Sequence, residues 1–294
     1  MLRLSFLIPF VAILFGHSMH ATAQIDSATA EQVVRKSGLW QQLGSIAPQV
    51  QSGFLSTVTA TGFNTSPKEV ERLKLVIDTA FAPERLRASA VASISQAMSP
   101  GEMPALLKWY DSPLGKEITK LEEAASVADR DPNAAIQEGR AVLSKLPPAR
   151  LALLRRLMDV TRSVEGVTNM TINLILAVQQ GAALARPGGP TFSWREMRAE
   201  MESQRPKMQQ GYQGIVLALF ANTYRTLSDT GLGKYIELVS TPAGIKFMDV
   251  GIRAVDKSLT EAAADFGKGI PTPKISLSPI IEIDCQLYRY ALSV

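Results

Sequence analysis

"YDSPLGKEI" occupies residues 110–118 and "VSTPAGIKF" residues 239–247, so the chain writes hydroxyl–Pro–x–Gly twice, 129 positions apart, with apolar residues on both sides. Proline disfavours the helical conformation in the residue before it, so Ser112 and Thr241 must leave any helix that reaches them. Each can then cap a following helix, with Pro113 or Pro242 at its first position, where a missing N–H costs nothing. The stretch therefore reads as an elbow: one helix ends near Trp109 and Tyr110, and another begins at Pro113. Gly115 and Gly244 fall in the first turn of the second helix and remove a side chain where another helix could come close. Their N–H groups, with Lys116 and Lys246 beside them, also admit a reading as an anion site. Close packing is the expectation.

Outward from the elbows, helix signals dominate. Ser66 with Glu69, Ser99 with Glu102 and Ser193 with Glu196 each match S-x-x-E, in which the two side chains satisfy each other's orphan N–H groups. Pro67 and Pro100 sit at first helical positions, and Pro83, Pro132 and Pro147 punctuate further starts. Val70, Leu73, Val76, Ile77 and Phe81 recur at helical spacing. No convincing period of two appears before Pro271. The body is predicted to be all-α.

The elbows belong to a longer echo. With Ser99–Ser126 laid on Ser228–Val255, Ser99/Ser228, Pro113/Pro242, Gly115/Gly244 and Ala125/Ala254 are identical. Met103, Leu106, Leu107, Ile118 and Leu121 then fall on Leu232, Tyr235, Ile236, Phe247 and Val250. A weaker echo at offset 128 pairs Gly38 and "VQSG" (50–53) with Gly166 and "VQQG" (178–181). Two echoes at nearly one offset predict a tandem duplication of about 110–130 residues. The expectation is a helical bundle of two similar multi-helix lobes, 24–145 and 146–270, followed by a C-terminal arm, 271–294.

"LLKWYDSPLGKEI" (106–118) resembles the signature of a family of uncharacterised, exported, all-helical Gram-negative proteins, the domain of unknown function 2059 family. Trp109, Tyr110, Ser112, Pro113, Gly115 and Lys116 carry the resemblance. The second copy keeps Thr241, Pro242 and Gly244 but has Leu238 and Val239 in place of the aromatic pair. The resemblance implies a helical fold and an envelope compartment, and it brings no assigned activity.

The N-terminus carries its own signal. Arg3 precedes the apolar run "LSFLIPFVAILF" (4–15), and Ala21, Thr22 and Ala23 form an A-x-A site, so cleavage before Gln24 is expected, with 1–23 a signal peptide. The run falls short of the roughly 20 apolar residues that span a bilayer; an uncleaved anchor helix is the competing reading. Cleavage removes His17 and His20, the two histidines of the chain, and leaves Cys285 as its one cysteine. A mature chain without histidine excludes Ser-His-Asp and Cys-His nucleophilic systems and every zinc site that needs an imidazole. Export without an intramolecular disulfide suits the bacterial periplasm, the expected location.

Net charge is +4, and the basic residues are spread through helical segments such as "RLALLRRLMDVTR", as on a solvated face. Nucleic acid would call for a concentrated basic stripe with stacking aromatics, and aromatics make up only 6% of the chain. The S-x-x-K acylation pattern and the phosphate loop are both absent from the sequence. Glu122 with Glu123, and Asp129 with Asp131, read as solvated carboxylates at a polar helix end. Convergence of distant carboxylates on a glycan is a third-ranked reading.

"MTINLILAV" (170–178) and "GIVLALFANTY" (214–224) read as core helices interrupted by Asn173 and Asn222. Their alternative is the lining of an apolar groove between lobes that takes an acyl chain or an amphipathic segment. In the tail, Ile281, Ile283, Cys285 and Leu287 alternate with polar residues, a strand period with no sheet to join. Docking as an arm, pairing with another chain and disorder all stand open. The expected function is binding, with an envelope protein or an apolar ligand as partner, no cofactor, and no catalytic or metal residue to assign. The carrier of a lipid or other apolar ligand is the alternative.

Overall fold

A computed structural model of the chain describes residues 24–60, 66–126, 132–185 and 193–270, and every regular element among them is a helix. The first half contains α1 (Ser27–Lys36), α2 (Leu39–Gly44), α3 (Ile46–Ala60), α4 (Pro67–Ala80) and α5 (Pro83–Ala97). A 3-10 turn (Pro100–Glu102) then leads into α6 (Met103–Asp111), α7 (Pro113–Ala125) and α8 (Pro132–Leu143). The second half contains α9 (Pro148–Val160), α10 (Ser163–Leu184), α11 (Trp194–Thr223), α12 (Asp229–Val239) and α13 (Pro242–Gly269). The predicted all-α fold is what forms. Residues 1–23, expected as a signal peptide, residues 271–294 with Cys285, expected as a C-terminal arm, and the carboxylates Asp129 and Asp131 lie outside the described residues.

Side-chain caps explain several of the starts. Ser66 Oγ accepts from Glu69 N at 3.3 Å and Ser193 Oγ from Glu196 N at 3.4 Å. At Ser99 the reciprocal half forms, its N–H donating to Glu102 Oε2 at 2.8 Å. Glu69 does not reach back in this way, because its carboxylate is taken by Arg72 at 2.7 Å. Pro83 and Pro132 open α5 and α8, whereas Pro147 is the cap residue and Pro148 the first residue of α9.

The apolar faces converge on α13, which packs along α10 and also lies against α4, α5, α6 and α12. Gly166 faces Ile252 and Gly181 faces Ala264, so α10 and α13 run in the same direction. Their crossing is closed by a glycine from each side. A Cβ on Gly181 would lie 1.9 Å from Ala264 O, and one on Gly267 would lie 2.2 Å from Val178 O. No L side chain fits either gap, so the two backbones meet directly.

Packing crosses the midpoint of the chain. Helix α8 from the first half lies on α11 of the second. The end of α13 lies on α4 and α5 of the first, with Phe81 and Phe266 ring centroids 6.2 Å apart and Arg85 bonded to Asp265 at 2.7 Å. One buried apolar cluster includes Leu39, Ile77 and Ile94 as well as Leu154, Val216 and Leu259. "MTINLILAV" and "GIVLALFANTY" are core helix, as their first reading had it. Their asparagines tie neighbouring helices together: Asn173 donates to Asp256 at 2.8 Å, and Asn222 to Glu138 at 3.0 Å and to Ala135 O at 3.3 Å.

Some local features recur between the halves. Helix α10 is 22 residues long, the span of α2 and α3 together (39–60). A positive-φ residue precedes each, Gly38 at 81° and Arg162 at 51°. Gly38 faces Glu123 as Gly166 faces Ile252, and 123 and 252 differ by the elbow offset of 129.

Candidate functional site

The two elbows have the same backbone. Ser112 (φ −67°, ψ 156°) and Thr241 (φ −72°, ψ 155°) are extended between helices. Ser112 Oγ accepts from Gly115 N, and Thr241 Oγ1 from Gly244 N, both at 3.0 Å. Pro113 and Pro242 stand exposed at the first helical position of α7 and α13.

Each glycine is required by its own elbow rather than by a separate helix. A Cβ on Gly115 would lie 2.2 Å from Trp109 O, and one on Gly244 would lie 2.1 Å from Leu238 O. The approaching backbone is therefore the last turn of the preceding helix, α6 or α12, folded back over the start of the next. The N–H groups that an anion would have needed are engaged by the caps. Lys116 is exposed, and Lys246 pairs with Glu102 at 2.7 Å.

The aromatic pair of the first elbow connects it to the second half. Trp109 stacks on Tyr235 of α12, with centroids 6.4 Å apart and planes 10° from parallel. Tyr110 meets Phe247 of α13 edge-on at 6.0 Å. Tyr235 in turn packs against Tyr224, the C-cap of α11, at 6.1 Å.

Beneath this aromatic layer lies a residue that the sequence reading misplaced. Glu122 was expected on a solvated helix end, yet only 3% of its surface is exposed. Its Oε1 accepts the hydroxyl of Tyr224 at 2.7 Å and that of Tyr235 at 3.0 Å. Burial raises the carboxyl pKa to about 8; the two phenol bonds pull it down without reversing the shift, and Glu123 pushes it up. Burial also pushes the phenols of Tyr224, Tyr235 and Tyr110 above their ordinary range, with the Glu122 charge adding to it.

A periodic signal for Glu122 was present. Gly115, Ile118, Thr119 and Glu122 stand at i, i+3, i+4 and i+7 on one buried face of α7.

Arg150, on α9, is the buried cation next to this layer. It donates to Tyr224 O at 2.7 Å and to Asp229 Oδ1 at 2.8 Å. The arrangement places a buried carboxyl of raised pKa against two phenols. Among the described residues no group of three or more His, Cys, Asp or Glu is placed to hold a metal.

A second feature is open to solvent. A groove of about 380 Å³ beside α4 is lined by the apolar Leu75, Val76 and Ala80 and by the charged Arg72, Arg85 and Asp265. Leu75 is 66% exposed within it. Arg72 donates to Gly269 O at 2.9 Å, which fixes the end of α13 at the groove. The stretches 170–178 and 214–224, considered as groove lining, contribute nothing to it.

Among the described residues no helix is long and apolar enough to cross a membrane. No curated protein and no solved structure matches the chain. A family model does match, over residues 84–145, a segment that runs from the first turn of α5 past the end of α8 and contains the first elbow and Glu122. That segment matches the model of the domain of unknown function 2059 family, described as an uncharacterized protein conserved in bacteria.

Proposed function

We propose that this is an exported protein that works by binding, and that the groove beside α4 receives an apolar segment of an envelope protein. The exposed Leu75 carries this reading. A leucine two-thirds open to water, in a concavity with Val76 and Ala80, is surface that a partner can bury. The volume, about 380 Å³, lies within the range of small-ligand pockets and suits one or two anchoring side chains. An acyl chain presents the same chemistry, so a lipid carrier is the second reading.

Export rests on the apolar run 4–15 followed by Ala21, Thr22 and Ala23. A tandem origin for the two halves is part of the same reading, supported by the matching elbows and the recurring local features.

The test is capture from envelope extract with the chain beginning at Gln24, comparing the unsubstituted protein with Leu75→Asp, and with both proteins and lipids identified. A protein retained by the first and lost by the second, at unchanged helicity, supports the proposal. A lipid that follows the same pattern favours the carrier. Equal retention by both excludes the groove.

A further inference from the structure

We propose that Glu122 is a proton-linked latch, holding the first elbow against α11 and α12 while its carboxyl is protonated and loosening that junction when the proton leaves. The geometry is specific. Glu122 comes from α7, and both phenols on its Oε1 come from the other half of the chain, 102 and 113 residues later. The carboxyl is thus a polar link between the family-matched segment and the second half.

The groups around it give the latch its direction. Tyr224 from α11 and Tyr235 from α12 donate to it, and Tyr110 from α6 and Glu123 from α7 stand in the same electrostatic neighbourhood. The buried cation of the layer, Arg150 from α9, is held by Asp229 and the Tyr224 carbonyl. Lys36, beside Thr119 on the same face, is bonded to Asp111. Two phenol bonds stabilise a carboxylate, but taking the charge out of water costs more, so the neutral acid is the resident form. Removing its proton places an anion under the Trp109–Tyr235 stack, and the charge is relieved only if that layer parts and admits water.

The sign follows from linkage. The folded state keeps a proton that the unfolded chain releases near the ordinary value of 4.5. Stability therefore falls as pH rises from there to about 8 and levels off beyond it. In an exported protein that interval is one the surroundings can impose. The latch is independent of the groove beside α4, and its test does not involve a ligand.

The experiment follows melting temperature and near-ultraviolet circular dichroism of the chain from Gln24, between about pH 5 and about pH 9. The proteins compared are the unsubstituted chain, Glu122→Gln and Tyr235→Phe. The expected result is a melting temperature that falls between about pH 5 and about pH 8 and levels off beyond it, and an aromatic signal that changes through a midpoint near pH 8, with both effects lost in Glu122→Gln. Tyr235→Phe removes one donor to the carboxylate and should move the midpoint to higher pH. A Glu122→Gln protein that follows the unsubstituted course overturns the proposal. If that variant does not fold, an unmoved midpoint in Tyr235→Phe overturns it equally.

Discussion

Lys246 Nζ lies 2.7 Å from Glu102 Oε1, so the first turn beyond the second elbow is tied to the cap that opens the first helical pair. Glu102 also accepts the N–H of Ser99 at 2.8 Å. Partial burial opposes its charge, but Lys246 and the Ser99 N–H outweigh that and hold its pKa below the ordinary 4.5.

A depressed carboxylate contributes stability that is complete above its unfolded value and is lost as pH falls through the folded one. The pair is part-exposed, at 38% for Lys246 and 22% for Glu102, so its contribution is about 1 kcal/mol or less. Lys246→Met should lower the melting temperature near neutrality and make it less sensitive to acid below about pH 4.5. A variant with an acid limb as steep as the unsubstituted protein's would show that Glu102 does not depend on this partner.

Gly115→Ala and Gly244→Ala should each destabilise by about 1–3 kcal/mol, because the new methyl meets a backbone carbonyl that cannot rotate away. Gly211→Ala supplies the contrast. Nothing lies within 4 Å of its Cβ position, and it sits inside α11, so alanine should stabilise by about 0.5–1 kcal/mol. Urea melts of the three variants read both signs. Elbow variants as stable as the unsubstituted chain would remove the steric account.

Mass spectrometry of the protein purified from its native host should find Gln24 at the N-terminus. An intact Met1 in a membrane fraction would replace export of a free chain by an anchored one.

Local rules carried far in this sequence because they act within a few residues. A proline and a hydroxyl one position before it fix where a helix stops and the next begins, so Ser112 and Thr241 could be placed without any tertiary contact. Apolar composition likewise assigned 170–178 and 214–224 to the core. The glycines of the elbows were recognised as sites of close approach, but what approaches them is set by the fold-back angle, which no residue pattern states. Their partner is the preceding helix's own carbonyl.

Glu122 shows the limit most plainly. By charge type it belongs in water, and only its phase on α7 placed it with Ile118 on the buried face. The two phenols that hold it come from residues more than a hundred positions away, and no local rule connects them. The sequence by itself determined the helices, their breaks and the paired elbows, because capping and sterics are short-range. Only the tertiary structure decided that a carboxyl would be sealed between the halves, that α8 and the end of α13 would each pack on the opposite half, and that Leu75 would stay open, because each depends on which faces meet once the chain is folded.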